Sequence, residues 1–144
     1  MSIAYNQRHA REGFTLIEIL VALAIVVLIA AIAGPMAYNA YKRSQVKTAK
    51  LSLKSVNSAI QQFNMDIHQL PETLKDLVRK PTNEELAKEW NSAYLQGKDV
   101  PKDPWNNDFQ YRKTEGEEHP YELYSYGPNG RGAPQTERIS VWNL

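Results

Sequence analysis

The chain has 144 residues, a formal net charge of +1 and no cysteine. Its length suits one ordinary domain, and the missing cysteine excludes disulfides, cysteine-ligated zinc and thiol catalysis. A nearly neutral chain also gives no electrostatic reason to expect nucleic acid as a partner. The first quarter of the sequence is strongly apolar and the rest is polar, which is typical of an anchor followed by a small domain.

The first predicted element is a membrane-spanning helix over residues 14–36. This stretch contains a single charged side chain, Glu18. At ~1.5 Å per residue it would be about 34 Å long, enough to cross a hydrocarbon core of about 30 Å. The alternative is a secretory signal peptide cleaved near Ala30-Ala31-Ile32-Ala33, which leaves the acid unexplained. Basic residues on both sides of the stretch leave the positive-inside rule without a clear answer on orientation.

Gly34 and Pro35, near the end of the apolar run, predict a kink or local melting, because proline lacks an N–H and clashes with the preceding turn. Beyond them, apolar residues recur every three or four positions, which predicts a further helical stretch over 37–67. Its apolar stripe comprises Tyr38, Tyr41, Ala49, Leu53, Val56, Ile60, Phe63 and Ile67. Such a stripe must be buried, so we expect the remainder of the chain to cover it.

Two short helical segments are predicted next. Leu70-Pro71 ends the long helix, and a short turn follows with its apolar residues inward: Leu70, Leu74, Leu77 and Val78. The segment 82–85 has the form of a capping box, with Thr82 at the cap and Glu85 three residues on. This box predicts a short helix that ends near Trp90.

Strand patterns occupy the last third of the chain. Asp103-Pro104-Trp105-Asn106-Asn107 is turn chemistry. Period-two alternation then predicts short strands around 109–112 and 121–126, and either a third strand or a tail at 139–141. The segment 114–120 would join the first two strands as a hairpin. Together with the helices, these patterns indicate the α+β class with a small antiparallel sheet.

The segment Gly13-Phe14-Thr15-Leu16-Ile17-Glu18 resembles the leader-peptidase site of type IV pilin-like proteins. Later landmarks are similar to those of the major pseudopilins of type II secretion, a family also called general secretion pathway protein G. These landmarks are Leu70-Pro71 with Leu74 and Leu77, Lys80-Pro81-Thr82, Asp103-Pro104-Trp105-x-Asn107 and Leu123-Tyr124-Ser125-x-Gly127. The resemblance implies a type IV pilin-like fold. In that fold a long kinked N-terminal helix, its hydrophobic half membrane-spanning, packs on a small domain with short helices and a small antiparallel sheet.

The resemblance also implies processing and a location. A prepilin peptidase would cut between Gly13 and Phe14, and N-methylation of the new Phe14 amine would follow. The implied segments are the leader 1–13, the transmembrane and filament-core helix 14–36, its amphipathic continuation 37–67, and the globular domain 68–144. The subunit would be a single-pass protein of the Gram-negative inner membrane, with a cytoplasmic N-terminus and a periplasmic C-terminal domain, before it joins a periplasmic pseudopilus.

The function that the resemblance implies is structural and not enzymatic. As the major subunit, the chain would self-assemble into a helical, homo-oligomeric filament that helps to export folded proteins through the outer membrane. The implied partners are minor pseudopilins, the prepilin peptidase and N-methyltransferase, and an inner-membrane assembly platform with its ATPase.

Glu18 is the predicted assembly residue, since an ionised group in hydrocarbon is costly and indicates function. In a filament core its carboxylate can meet the positive Phe14 amine of a neighbouring subunit. Such a pair offsets part of the desolvation cost and sets the axial stagger between subunits. The alternative is that Glu18 snorkels to the cytoplasmic interface, since it lies only about 6 Å from Phe14 along the helix.

The C-terminal loop departs from the family pattern. The resemblance implies calcium held by acidic side chains and carbonyl oxygens, and calcium needs several hard oxygen ligands. Asn129 stands where an aspartate is expected, and Arg138 replaces another expected acidic ligand. A guanidinium opposes a divalent cation and could replace it by pairing with carbonyls or with Glu137. We therefore do not expect calcium to hold this loop; Ser125, Asn129 and Glu137 are the weak candidates for a metal site.

Three alternatives stay open at this point. The major pilin of a type IV pilus, used for adhesion or motility, commonly carries a C-terminal disulfide loop, which a chain without cysteine cannot form. An enzyme would use the many carboxylates, but these lie in polar segments without a nucleophile elbow, a phosphate loop or metal-ligand spacing. An anchored periplasmic domain that does not assemble would need neither Gly13 nor Glu18.

Overall fold

The structure is a computed structural model that describes residues 13–114 and 117–144. The chain divides into two compact units, Met1–Ala40 and Tyr41–Leu144. The longest helix, α1 (Leu16–Ile67), contributes to both units. Apart from Gly13, the predicted leader lies outside the described residues.

In the first unit, α1 presents apolar side chains on all its faces. The large apolar residues between Phe14 and Met36 are each 47–84% exposed. The most apolar window of the helix has a mean hydropathy of 3.1 and none of it is buried. Within the described residues, α1 is the helix that is long and apolar enough to cross a membrane. Such a surface requires a cover that one copy of the chain does not supply.

The helix continues without interruption through Gly34 and Pro35. Proline removes one N–H from the ladder, but the hydrogen bonds of the neighbouring turns can hold the helix together. The local melting that these residues predict is therefore not present in this structure, and a kink at this position stays a prediction.

In the second unit, the apolar stripe of α1 forms the centre of the core. Its buried residues are Ala49, Leu53, Val56, Ala59, Ile60, Phe63 and Ile67. The predicted start of the stripe was wrong, because Tyr38 and Tyr41 are 58% and 61% exposed. Periodicity identifies a helix face but not the point at which other parts of the chain begin to cover it. α1 ends where His68 adopts a left-handed backbone conformation, with φ of 59°.

Two short helical segments close one side of this core. A 3₁₀ turn, Leu74–Leu77, buries Leu74 and Leu77 as predicted, and the Asp76 carboxylate accepts a hydrogen bond of 2.8 Å from the Thr73 N–H. Helix α2 (Glu84–Glu89) buries Leu86. Its cap is Asn83 and not the predicted Thr82, because the Asn83 side chain accepts the Glu85 N–H at 2.9 Å.

Three strands form one antiparallel sheet in the order β1 (Gln110–Lys113), β2 (Tyr121–Ser125) and β3 (Ile139–Ser140), so the last segment is a strand and not a tail. Val141, predicted to lie in this strand, instead begins a 3₁₀ turn, Val141–Asn143. Lys113 pairs with Tyr121, which confirms the predicted hairpin, and Ser125 pairs with Ile139. In β2, Tyr121, Leu123 and Ser125 are buried, as the alternation predicts. This face of the central strand packs toward the α1 stripe within a single core.

Candidate processing and assembly site

The N-terminus of α1 is closed by a hydrogen-bonded cap between Thr15 and Glu18. The Glu18 Oε2 accepts the Thr15 backbone N–H at 2.8 Å and the Thr15 hydroxyl at 2.9 Å. In return, the Thr15 Oγ1 accepts the Glu18 N–H at 3.3 Å. This reciprocal arrangement is a capping box, which satisfies two of the N–H groups that a helix end leaves without partners.

Sequence analysis missed this local role of Glu18. The pattern Thr15-x-x-Glu18 before an apolar run is itself a capping-box signal, and it could have been found. The acid therefore has a reason to be here within a single chain, in addition to any contact with a neighbour. A negative side chain also suits the positive end of the helix dipole.

The cap leaves Glu18 with unused acceptor capacity. Both hydrogen bonds from Thr15 end on Oε2, and a carboxylate has about four lone-pair sites on two oxygens. Among the described residues, no cation forms an ion pair with Glu18. The side chain is exposed, so Oε1 is available to a donor outside the chain.

Gly13 and Phe14 lie just before the helix and outside regular secondary structure. Phe14 is 84% exposed, and a Cβ added to Gly13 would meet no atom within 4 Å. The peptide bond between them is therefore open to an enzyme. A lack of space therefore does not explain the glycine at this position.

A second cluster lies at the C-terminal loop and is centred on two buried polar residues, Asp103 and Ser125. The Ser125 hydroxyl donates to the Asp103 Oδ2 at 2.6 Å and accepts the Gly127 N–H at 2.9 Å. The Asp103 Oδ1 accepts the N–H groups of Trp105 at 3.0 Å and Asn107 at 2.8 Å. Two sequence landmarks, one at Asp103 and one 22 residues later at Ser125, are thus joined by one carboxylate.

The three candidate calcium ligands do not form an open oxygen cage. Ser125 is committed to Asp103, and the Asn129 side-chain amide donates to the Glu137 Oε2 at 2.7 Å. No group of three or more His, Cys, Asp or Glu residues suited to a metal occurs within the described residues. The residues present therefore do not fit calcium, which needs several converging hard oxygens.

Arg138 occupies this region, but not in the way that the sequence predicted. Its guanidinium carbon lies 4.9 Å from the ring centroid of Tyr124 and 5.7 Å from that of Tyr126. The sequence suggested two pairings for this guanidinium, with carbonyls or with Glu137. No ion pair joins it to Glu137 among the described residues, and the Glu137 carboxylate accepts from Asn129. The Arg138 Nε is buried and bonds to no carbonyl in this part of the chain. Desolvation and a side-chain hydrogen bond with Tyr126 raise the pKa of Tyr124, and the nearby Arg138 opposes this shift.

An exposed apolar helix capped at Thr15 and Glu18, followed by a small α+β domain with a three-stranded sheet, defines the class of type IV pilin-like subunits. Comparison with known proteins gives the family. The model of the family "Type II secretion system (T2SS), protein G" matches residues 37–143, and the model of the prokaryotic N-terminal methylation motif matches residues 8–34. The chain belongs to the type II secretion system protein G family.

Individual relatives agree with this assignment. The chain is 36% identical to a type II secretion system core protein G of Pseudomonas aeruginosa, over 95% of this chain and 99% of the relative. It is 31% identical to the protein of that name from Escherichia coli, over 93% of this chain and 92% of the relative. The crystal structure of the major pseudopilin from enterohaemorrhagic Escherichia coli matches the fold with a TM-score of 0.62 at 22% identity, over 74% of this chain and 94% of that one.

These findings confirm the predicted family, the pilin-like α+β fold and the role in type II secretion. They do not favour the alternative of a type IV pilus major pilin. The family is a structural one, which agrees with the prediction of a non-enzymatic protein. The methylation-motif match spans Gly13, Phe14 and Glu18, but the cleavage site, the methylated residue and the role of Glu18 stay predictions.

Proposed function

We propose that the chain is the major structural subunit of a type II secretion pseudopilus and assembles into a helical filament of identical copies. The exposed apolar helix carries this proposal, because all its large apolar side chains between Phe14 and Met36 are uncovered in one subunit. A lipid bilayer covers such a surface before assembly, and the same helices of neighbouring copies cover it in a filament. Because copies of the same helix can cover one another, no different partner protein is needed, which suits a filament of identical subunits.

The proposed topology is a single-pass inner-membrane protein with a cytoplasmic N-terminus and a periplasmic C-terminal domain. The length and hydropathy of α1 support membrane insertion. The partners proposed for assembly are minor pseudopilins and an inner-membrane platform with its ATPase. The filament would help folded proteins through the outer membrane.

The proposed processing event is cleavage between Gly13 and Phe14, followed by methylation of the Phe14 amine. Exposure of both residues and the match to the methylation motif support it. Cleavage removes Arg8, Arg11 and Glu12 with the leader, so the mature chain has no net formal charge. It also places a new positive amine four residues from Glu18.

The proposed role of Glu18 is to accept this amine from a neighbouring subunit. The free Oε1 supports the proposal, because the carboxylate can keep its cap on Oε2 and bind a second donor at the same time. A charged donor makes such a hydrogen bond stronger than a neutral one, most of all in apolar surroundings. Capping and assembly are thus compatible functions of one side chain.

We also propose that the C-terminal loop holds its shape without calcium. Arg138 over two tyrosines and the bond between Asn129 and Glu137 support this proposal. A cation–π contact supplies a fixed positive charge at the place where the resemblance implies a metal.

The test of the proposed function is mass spectrometry of the chain purified from the membrane of its own bacterium. We expect an N-terminus at a methylated Phe14 and filaments of this chain on mild overproduction. An intact Met1 end in protein that still supports secretion would contradict the processing, and failure to form filaments would contradict the subunit role. Deleting the chain should stop the release of folded exoproteins; loss of surface motility with normal release would instead favour a type IV pilus.

A further inference from the structure

A row of cations runs along one face of α1 beyond the apolar segment. It comprises Arg43, Lys47, Lys50 and Lys54, spaced four, three and four residues apart. This spacing places all four on one side of the helix, over about 17 Å of its length. The row lies away from the buried face, and Arg43, Lys47 and Lys54 are exposed. Among the described residues, none of the four has a hydrogen bond or ion pair on its side chain.

The remainder of the domain carries the opposite charge. Residues 41–67 contain five basic residues and one acidic residue, whereas residues 68–144 contain ten basic and thirteen acidic residues. The mature chain is neutral in total but its charges are segregated. Such a subunit attracts its own copies when the basic region of one faces the acidic region of the next.

Helix α2 carries two acidic residues whose spacing of four matches that of Lys50 and Lys54. Glu85 and Glu89 are exposed and lie one turn apart on this helix. Neither carboxylate has a partner among the described residues, since the one bond at Glu85 uses its backbone N–H. Leu86 anchors α2 in the core at 1% exposure, so the pair is held outward on a fixed element. Lys88 lies on the same helix, four residues after Glu84, and can neutralise that third acid.

We propose that the cationic row of one subunit docks on the Glu85–Glu89 pair of a neighbouring copy in the filament. Lys50 and Lys54 are also one turn apart, so the two pairs can form two ion pairs in register. The contact joins different surfaces of identical subunits. Contacts of this heterologous kind propagate as a helical filament when the rotation from one subunit to the next does not close a ring. The inference rests on the proposed function, because it requires that copies assemble.

An anionic lipid surface is the competing occupant of the row. Lys50 and Lys54 follow Met36 by 14 and 18 residues, which is about 21 and 27 Å along a helix. The headgroup layer extends only about 5–8 Å beyond the hydrocarbon core on each side. The distal half of the row is therefore separated along the chain from the predicted membrane-spanning segment by more than a headgroup layer, whereas a second copy offers the opposite charge at Glu85 and Glu89.

Zero-length cross-linking of filaments tests the contact directly. A carbodiimide joins a lysine amine to a carboxylate only when the two are in contact. Filaments of the full mature chain should be assembled from an equal mixture of ¹⁵N-labelled and unlabelled copies, treated, digested and analysed by mass spectrometry. We expect cross-links from Lys50 or Lys54 to Glu85 or Glu89 in mixed-isotope pairs. Filaments with other mixed-isotope cross-links but without these would overturn the inference and leave the proposed function intact.

Charge exchange supplies a second test. K50E/K54E alone and E85K/E89K alone should each lower filament yield at least tenfold, and the four changes together should restore it to within about twofold. The control K98E/K113E reverses two exposed lysines elsewhere and should assemble normally. Thermal unfolding of each variant in detergent shows that its domain is folded. Normal filaments from both double variants would overturn the inference. A folded quadruple variant that fails to assemble, and that binds phosphatidylglycerol vesicles less well than the native chain does, would overturn it too. No filaments from the native chain would overturn the proposed function itself.

Discussion

Thr15 and Glu18 close the N-terminus of the apolar helix by a reciprocal set of hydrogen bonds, with the carboxylate using only one of its two oxygens. The acid in the apolar segment thus has a structural role in the isolated subunit and a second oxygen left over for assembly. Mutations at the two positions can separate the roles, because the cap needs a hydrogen-bond acceptor whereas assembly is proposed to need a charge.

Glu18→Gln keeps an acceptor at the third helical position and removes the charge. Glutamine also serves in capping boxes, so we expect the helix to be unchanged by circular dichroism in detergent while filament yield falls at least tenfold. Thr15→Ala removes the cap, at about 1 kcal/mol of helix stability, but keeps the charge and should still assemble. Filament counts by electron microscopy measure both variants. Equal losses of filament yield in the two variants would mean that the capping role alone explains why an acid stands at position 18.

Asp103→Ala should strongly destabilise the domain. Asp103 is 4% exposed and accepts hydrogen bonds from Ser125, Trp105 and Asn107. Its loss leaves buried donors without partners, and each such group costs about 1–3 kcal/mol. Ser125→Ala removes one of these bonds and also leaves the Gly127 N–H without its acceptor, so it should cost about 1–3 kcal/mol. Urea unfolding of the full chain in detergent measures both variants, with the exposed Asp108→Ala as control. If Asp103→Ala lowers the unfolding free energy no more than this control does, the role assigned to Asp103 is contradicted.

Alkaline pH should weaken the domain through Tyr111, which is partly buried, and Tyr121, which is buried. Burial raises the pKa of Tyr111 and Tyr121 above the usual value of 10.0. The Tyr111 hydroxyl donates to the Pro71 carbonyl at 2.8 Å, and the Tyr121 hydroxyl donates to the Asn57 side chain. The folded state holds these protons while the unfolded state releases them, so the stability is complete below about pH 10 and falls as pH rises above it.

The double variant Tyr111→Phe/Tyr121→Phe isolates this effect. It should lose about 2 kcal/mol near neutral pH, because two hydrogen bonds are removed at about 1 kcal/mol each. Above about pH 10 its unfolding free energy should fall less steeply than that of the native chain. Urea titrations at several pH values give both slopes, with the exposed Tyr41→Phe as control. If the unfolding free energy falls with pH equally steeply in the variant and in the native chain, these tyrosines are not the source of the alkaline destabilisation.

The C-terminal loop should not respond to calcium. We expect the Tm of the native chain to be the same in excess calcium and in excess chelator, because the three candidate ligands are committed to other partners or do not converge. Arg138→Ala should lower stability by about 0.5–2 kcal/mol through the lost contact with Tyr124 and Tyr126. Arg131→Ala, an exposed arginine in the same loop, is the control. Tight calcium uptake in a calorimetric titration would contradict both expectations.

Local patterns predicted the type of α1, α2 and the strands, but not the 3₁₀ turns Gly127–Gly132, Gln135–Glu137 and Val141–Asn143. Steps of three and four identified the buried stripe of α1 from Ala49 to Ile67, and period-two alternation identified β2. The errors were also local. The cap of α2 lies at Asn83, one residue from the predicted Thr82. Both residues are of a type that can cap a helix, and only the backbone angles select one of them. The cap at Thr15 was missed although its pattern is present.

The sequence by itself determined the apolar anchor, the pilin-like order of helices and strands, and the positions of Gly13, Phe14 and Glu18, since hydropathy and short motifs act over a few neighbouring residues. Only the tertiary structure decided which distant groups meet: Ser125 with Asp103, and Arg138 with two tyrosines instead of Glu137. Side chains far apart along the chain come together through the packing of the whole core, and no local pattern encodes which of several possible partners a buried polar group will contact.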